Sequence, residues 1–172
     1  MEAFVRGIRL ISGLCGIVAA TLIGLSVAVI CEMVFVRKVL NHSTIWQTDF
    51  VIYSLIAATF IGAPYVLTIR GHVHVDVLPQ HVGPRTRYRL AVFALVLSLA
   101  FSLVMTALTA QFWQEAWDNN WVSDTMWRAR LWIPYSSMPI GLGLLTLQFV
   151  AELFDLVTGR QPPFGIRSDE AP

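Results

Sequence analysis

The chain has 172 residues, 56% of them hydrophobic and 13% charged, with a formal net charge of +1. Soluble domains carry about 25% charged residues, so an exterior wetted on all sides is excluded. Near-neutrality argues against a nucleic-acid partner.

The remaining charges sit in clumps, and the intervals between clumps set the architecture. A helix needs about 20 apolar residues to cross the hydrocarbon core. The 27 residues between Arg9 and Arg37 carry one charge, Glu32, and predict a first helix over about 8–37. Its apolar run far exceeds the roughly 7–15 residues of a secretory signal and ends in the basic "FVRKVL", so it reads as an uncleaved anchor. Cys15 and Cys31 lie about 24 Å apart along such a helix, too far to bond, and serve as small apolar fillers. Ser12, Gly16, Ala20, Gly24 and Ala28 recur every four residues. Small residues let helices approach closely in lipid, so this stripe predicts a contact seam, with this chain or with another.

A second helix is predicted over about 45–70, since 20 uncharged residues separate Asp49 from Arg70. Thr44 followed by Gln47 has the form of a capping box, with Trp46 at the interface. Gly62 and Pro64 fall inside, and Pro64 is expected to kink the helix. Gly71 suits the left-handed position after its last turn.

The stretch "RGHVHVDVLPQHV" follows. Read as a strand, it places His72, His74 and Asp76 on one face, and a His-x-His pair with a carboxylate is plausible zinc ligation. Only three candidate ligands are present, and Pro79, Gly83 and Pro84 deny the segment a sheet. The reading is therefore a short connection along the membrane, with no metal, in which Arg70, His72 and Asp76 fix the turn.

The third helix is expected over about 88–117, where 25 uncharged residues separate Arg89 from Glu115. Ala94, Ser98, Ser102, Thr106 and Ala110 form a second small stripe. Trp113, Trp117 and Trp121 follow i, i+4, i+8 spacing, one helical face if the helix runs on past the membrane. The fourth helix is expected over about 131–157, with Pro134 in an early turn and Pro139 at a bend. Gly159, Pro162 and Pro163 stop it. The expectation is an all-α integral membrane domain, four transmembrane helices in a bundle over about 1–160, with a short polar tail at 161–172.

Eight basic residues (Arg6, Arg9, Arg70, Arg85, Arg87, Arg89, Arg160, Arg167) lie on one side of this topology and four (Arg37, Lys38, Arg128, Arg130) on the other. The positive-inside rule places both termini in the cytoplasm. All six tryptophans then fall at the outer face, as an interfacial belt or, since only one face has it, a docking surface.

No metalloprotease, nucleophile-elbow, phosphate-loop or dinucleotide motif is present. The central thirds of the helices lack ionisable groups, which would be functional by default; Glu32 and Asp49 lie near helix ends. No internal repeat of the kind self-sufficient transporters use is visible, and a small multidrug-type exporter would want a carboxylate in mid-helix. A haem- or quinone-binding anchor of a redox complex is the rival reading. It needs histidines inside facing helices, whereas His42, His72, His74 and His81 fall in connections. The chain reads as a non-enzymatic component.

"STIWQTDFVIYSLIAATFIGAPYVLTIRGHVHVDVL" resembles the small, DctQ-type membrane subunit of tripartite ATP-independent periplasmic (TRAP) transporters. Trp46, Asp49, Gly62, Arg70, His72, Val73, Val75 and Asp76 carry the resemblance, with Pro64 and Gly71 beside them. "LWIPYSSMPIGLGLLTLQFV" is similar to the family's last helix, and the Gly-Arg-x-Pro-Pro tail also fits. The resemblance implies a scaffold subunit of the bacterial inner membrane, without catalytic, metal, cofactor or substrate site of its own. It implies a large membrane partner holding the substrate and sodium sites, and a periplasmic solute-binding protein that delivers an organic acid for sodium-driven symport.

Overall fold

The computed structural model describes residues 2–69 and 84–158. Arg70, Gly71, His72, His74 and Asp76, with the turn expected of them, lie outside the described residues, as does the tail. The described helices are α1 (Glu2–Val39), α2 (Trp46–Thr68), α3 (Pro84–Asp118), the single turn α4 (Trp132–Tyr135) and α5 (Ser137–Val157). Four segments are long and apolar enough to cross a membrane: Arg6–Val39, Trp46–Thr68, Tyr88–Asp118, and Trp132–Val157, which joins α4 to α5.

Local chemistry explains the ends. The last turn of α3 closes with the amide of Trp121 donating to the Ala116 carbonyl and that of Asn120 to Trp117, both at 3.1 Å. Asn120 holds φ of 48°. This is the paired-bond helix stop in which asparagine takes the left-handed position. Asn41, at φ of 52°, turns the chain after α1 in the same region of backbone space. Between α4 and α5, Pro134 and Pro139 bracket the break at Ser136. The hydroxyl of Ser137 donates to the Pro134 carbonyl (2.6 Å) and that of Ser136 to Ile133 (2.7 Å).

The interior is made mostly of small and polar residues, and most of the large apolar ones face outward. Ser12, Ser26, Ser54, Ser102, Ala58 and Ala151 are buried, whereas Leu10, Ile17, Phe93 and Phe101 are each more than 60% exposed. In water so much apolar surface would drive aggregation. In lipid it is the stable arrangement, because helices there associate through close approach and hydrogen bonds. The central pair is α2 and α5; α1 packs along α2 and touches α5, and α3 packs on α5.

The buried line on α1 is Ile8, Ser12, Cys15, Ala19 and Ser26, which follows the 3.6-residue helical period. A strict four-residue stripe drifts by about 40° per step around the helix. Ser12 and Gly16 therefore meet α2 and α5, while Ala20, Gly24 and Ala28 rotate outward and are exposed. A Cβ on Gly16 would lie 2.5–2.8 Å from the Tyr65 ring; one on Gly24 would meet nothing within 4 Å. In the isolated chain, Gly16→Leu is expected to cost about 1–3 kcal/mol by overpacking, and Gly24→Leu nothing measurable. Equal melting temperatures for the two variants in detergent would contradict this placement.

On α3 the second stripe meets α5 at its middle. Ser102 is buried, and its hydroxyl shares a hydrogen bond with that of Thr146 (2.8 Å), which also lies 3.2 Å from the Thr106 hydroxyl. Ser98 is half-buried beside them, and Ala94 is exposed.

Candidate functional site

Up-and-down connectivity brings the start of α2, the end of α3, the start of α4 and the end of α1 to one end of the molecule. Every tryptophan belongs to this end, and so does a network of buried polar groups. Asp49, in the first turn of α2, is 6% exposed. Its carboxylate accepts from the Ser123 hydroxyl at 3.4 Å and from the Thr125 hydroxyl. The α2 N-terminus adds the favourable end of the helix dipole. One carboxylate thus ties α2 to the loop that follows α3.

Thr44 and Gln47 depart from the expected capping box. No side chain caps α2; Thr44 accepts from Arg37 Nε at 2.6 Å, and Gln47 donates to Glu32 at 3.3 Å. The end of α1 supplies charged partners, and hydrogen bonds to charged groups are about twice as strong as those to the neutral amides a cap would satisfy. Among the described residues Gln47 Oε1 is buried without a hydrogen-bond partner.

Trp113, Trp117 and Trp121 do not share one stripe. Trp113 lies 5.8 Å from Trp117, and Trp117 packs edge-on to Trp132 at 4.4 Å, while Trp113 Nε1 donates to the Trp132 carbonyl. Trp121 instead packs on Phe112, which also meets Tyr135. The reason is the helix stop at Asn120: α3 ends at Asp118, so Trp121 leaves the helical face that its spacing alone would give it. Trp46 stacks edge-on to Phe50 at 6.3 Å and is half exposed.

Two further polar contacts tie α1 to α5. Ser12 donates to Gln148 at 3.1 Å, both buried, and toward the opposite end Arg9 pairs with buried Asp155 at 2.7 Å. Among the described residues no three His, Cys, Asp or Glu side chains lie together as a metal site. Pro64 is fully buried, and Gly62 lies against Ala19, where a Cβ would come within 3.1 Å.

Sequence reasoning passed over Gly141, Gln148, Asp155 and Thr146. Gln148 had one visible signal, an amide in the middle of an otherwise apolar span. Gly141 had none: Pro64 removes the helical donor to the Phe60 carbonyl four residues earlier, but that Gly141 lies against that carbonyl is a tertiary contact. The arrangement can hold helices in register and present apolar faces.

Comparison with known proteins adds two findings. The family model described as "Tripartite ATP-independent periplasmic transporters, DctQ component" matches residues 26–159. The C4-dicarboxylate TRAP transporter small permease protein DctQ of Vibrio cholerae is 25% identical over 148 residues, covering 74% of this chain and 64% of that protein. The chain thus spans a little under two thirds of that relative's length.

Proposed function

Because the chain belongs to the DctQ component family of tripartite ATP-independent periplasmic transporters, we propose that this multi-pass membrane protein is a scaffold subunit for solute uptake. In this reading it sits in a bacterial inner membrane with both termini cytoplasmic, and pairs with a large membrane subunit that holds the substrate and ion sites. A periplasmic binding protein delivers the solute, an organic acid, and an ion gradient drives its entry. The relative's name points to C4-dicarboxylates as the substrate class to try first. The chain itself performs no chemistry.

The observation that carries this reading is how the polar groups are used. Ser102 bonds Thr146 and Ser12 bonds Gln148 from helix to helix, so these groups hold helices rather than a solute. The outer faces of α1 and α3, with residues such as Ile17 and Phe101, remain apolar and uncovered. A rigid wedge with apolar flanks suits a subunit that widens a membrane assembly.

A tagged form of the chain, purified in mild detergent from its native host, is expected to bring down a long multi-helix membrane protein in equal amount. Deleting the chain should abolish gradient-driven uptake of the organic acid, and re-expression should restore it. Recovery of the chain alone, with uptake intact after deletion, would refute the proposal.

A further inference from the structure

A groove of about 590 Å³ opens between α2, α5 and the loop leading to α4. Its walls are mostly apolar, with Ala57 and Ile61 from α2 and Ile140 from α5, and include the hydroxyl-bearing Ser54, Ser136 and Ser137. At its mouth stand Trp127, Arg128 and Arg130, and no carboxylate lines it. Among the described residues neither arginine is in an ion pair, and both are exposed.

We propose that this groove binds an anionic glycerophospholipid, with its phosphate between Arg128 and Arg130 and an acyl chain along Ala57, Ile61 and Ile140. Depth supports the assignment. Tryptophan side chains settle at headgroup level, so Trp127 sets the two neighbouring guanidiniums where lipid phosphates lie. From Tyr53 to Ile61 the α2 wall descends about 12 Å, most of one leaflet's hydrocarbon, given a core about 30 Å thick. That depth is occupied by acyl chains and is out of reach of a water-soluble partner. Charge agrees, since guanidinium pairs with phosphate through two parallel hydrogen bonds, and two arginines with no carboxylate among the lining residues favour a headgroup with net negative charge.

The loop is built to hold this position. Arg128 has φ of 47°, a left-handed conformation that non-glycine residues adopt at a cost. It is held there by its own amide donating to the Thr125 carbonyl (3.0 Å), by Ser123 bonded to Ala129 (2.8 Å), and by a bridge between Val122 and Arg130. Glycine would relieve the strain at this position.

Native mass spectrometry of the full-length chain in mild detergent tests this. Phosphatidylglycerol should be retained as one molecule per chain, phosphatidylcholine several-fold more weakly, and glycerol 3-phosphate not at all. R128Q/R130Q should weaken phosphatidylglycerol retention about tenfold or more, the loss of roughly 1.4 kcal/mol or more. A57W, which fills the groove and keeps both charges, should do the same, and K38Q, a cation at the same end outside the groove, should not. R128G removes a charge while suiting the backbone, and its thermal melt separates lipid loss from misfolding: weakened retention with an unchanged melt supports the site. Equal retention of both lipids, retention unchanged in R128Q/R130Q or A57W, or competition by glycerol 3-phosphate would each overturn it.

Discussion

Gly141→Ala is expected to destabilise the chain by about 3 kcal/mol or more, at the upper end of what overpacking costs, and to lower the yield of folded protein sharply. The reason lies in the pairing of α2 with α5. Pro64 has no amide hydrogen, so the Phe60 carbonyl loses its helical donor, and Gly141 brings α5 against that carbonyl. A Cβ on Gly141 would overlap the Phe60 backbone and lie 2.9 Å from the Phe60 Cβ. A backbone cannot swing aside as the exposed end of a long side chain can. Helix propensity alone would make Gly→Ala favourable by about 1 kcal/mol, so the sign of the effect is diagnostic. Gly143→Ala is the control, because a Cβ there meets Thr106 at an ordinary 3.8 Å. Thermal unfolding in detergent decides the matter, and a Gly141→Ala variant as stable as Gly143→Ala would remove this crossing as the determinant.

Asp49→Ala is the second large effect, at about 2–3 kcal/mol. The substitution deletes an acceptor that is buried with two hydroxyl donors, and hydrogen bonds to charged groups contribute about 1.5–3 kcal/mol. Asp49→Asn retains one acceptor oxygen and should cost about 1 kcal/mol. Asp124→Ala, an exposed carboxylate in the same loop, should stay within about 0.5 kcal/mol of the parent. Limited proteolysis offers a local readout: freed from α2, the loop around residues 122–130 should be cut sooner in Asp49→Ala. Similar melting and cleavage for the Asp49 and Asp124 variants would mean that the carboxylate does not anchor the loop.

Legibility divided along a physical line. The four spans could be read from intervals without charge, and the family from the run around Trp46, Asp49 and Gly62. The partners of those residues could not. Asp49 meets Thr125 across 76 positions and Ser12 meets Gln148 across 136. Thr44 and Gln47 had the local form of a cap, yet Arg37 and Glu32, seven and fifteen positions back, took them. Trp121 shared the spacing of Trp113 and Trp117 but lay beyond a helix stop made by Asn120.

By itself, then, the sequence determined that the fold is all-α, that four segments can cross a membrane, and which family it belongs to. Crossing is a question of length and hydropathy, which add along the chain and need no knowledge of neighbours. Only the tertiary structure decided which face of each helix is covered. A contact depends on the angle around the helix axis, and a four-residue repeat loses about 40° at every step. Gly16 and Gly24 belong to one stripe in sequence, yet only Gly16 lies under a neighbour's ring. Two residues with the same local pattern end in different surroundings because the partner helix, set far away in the chain, reaches only one of them.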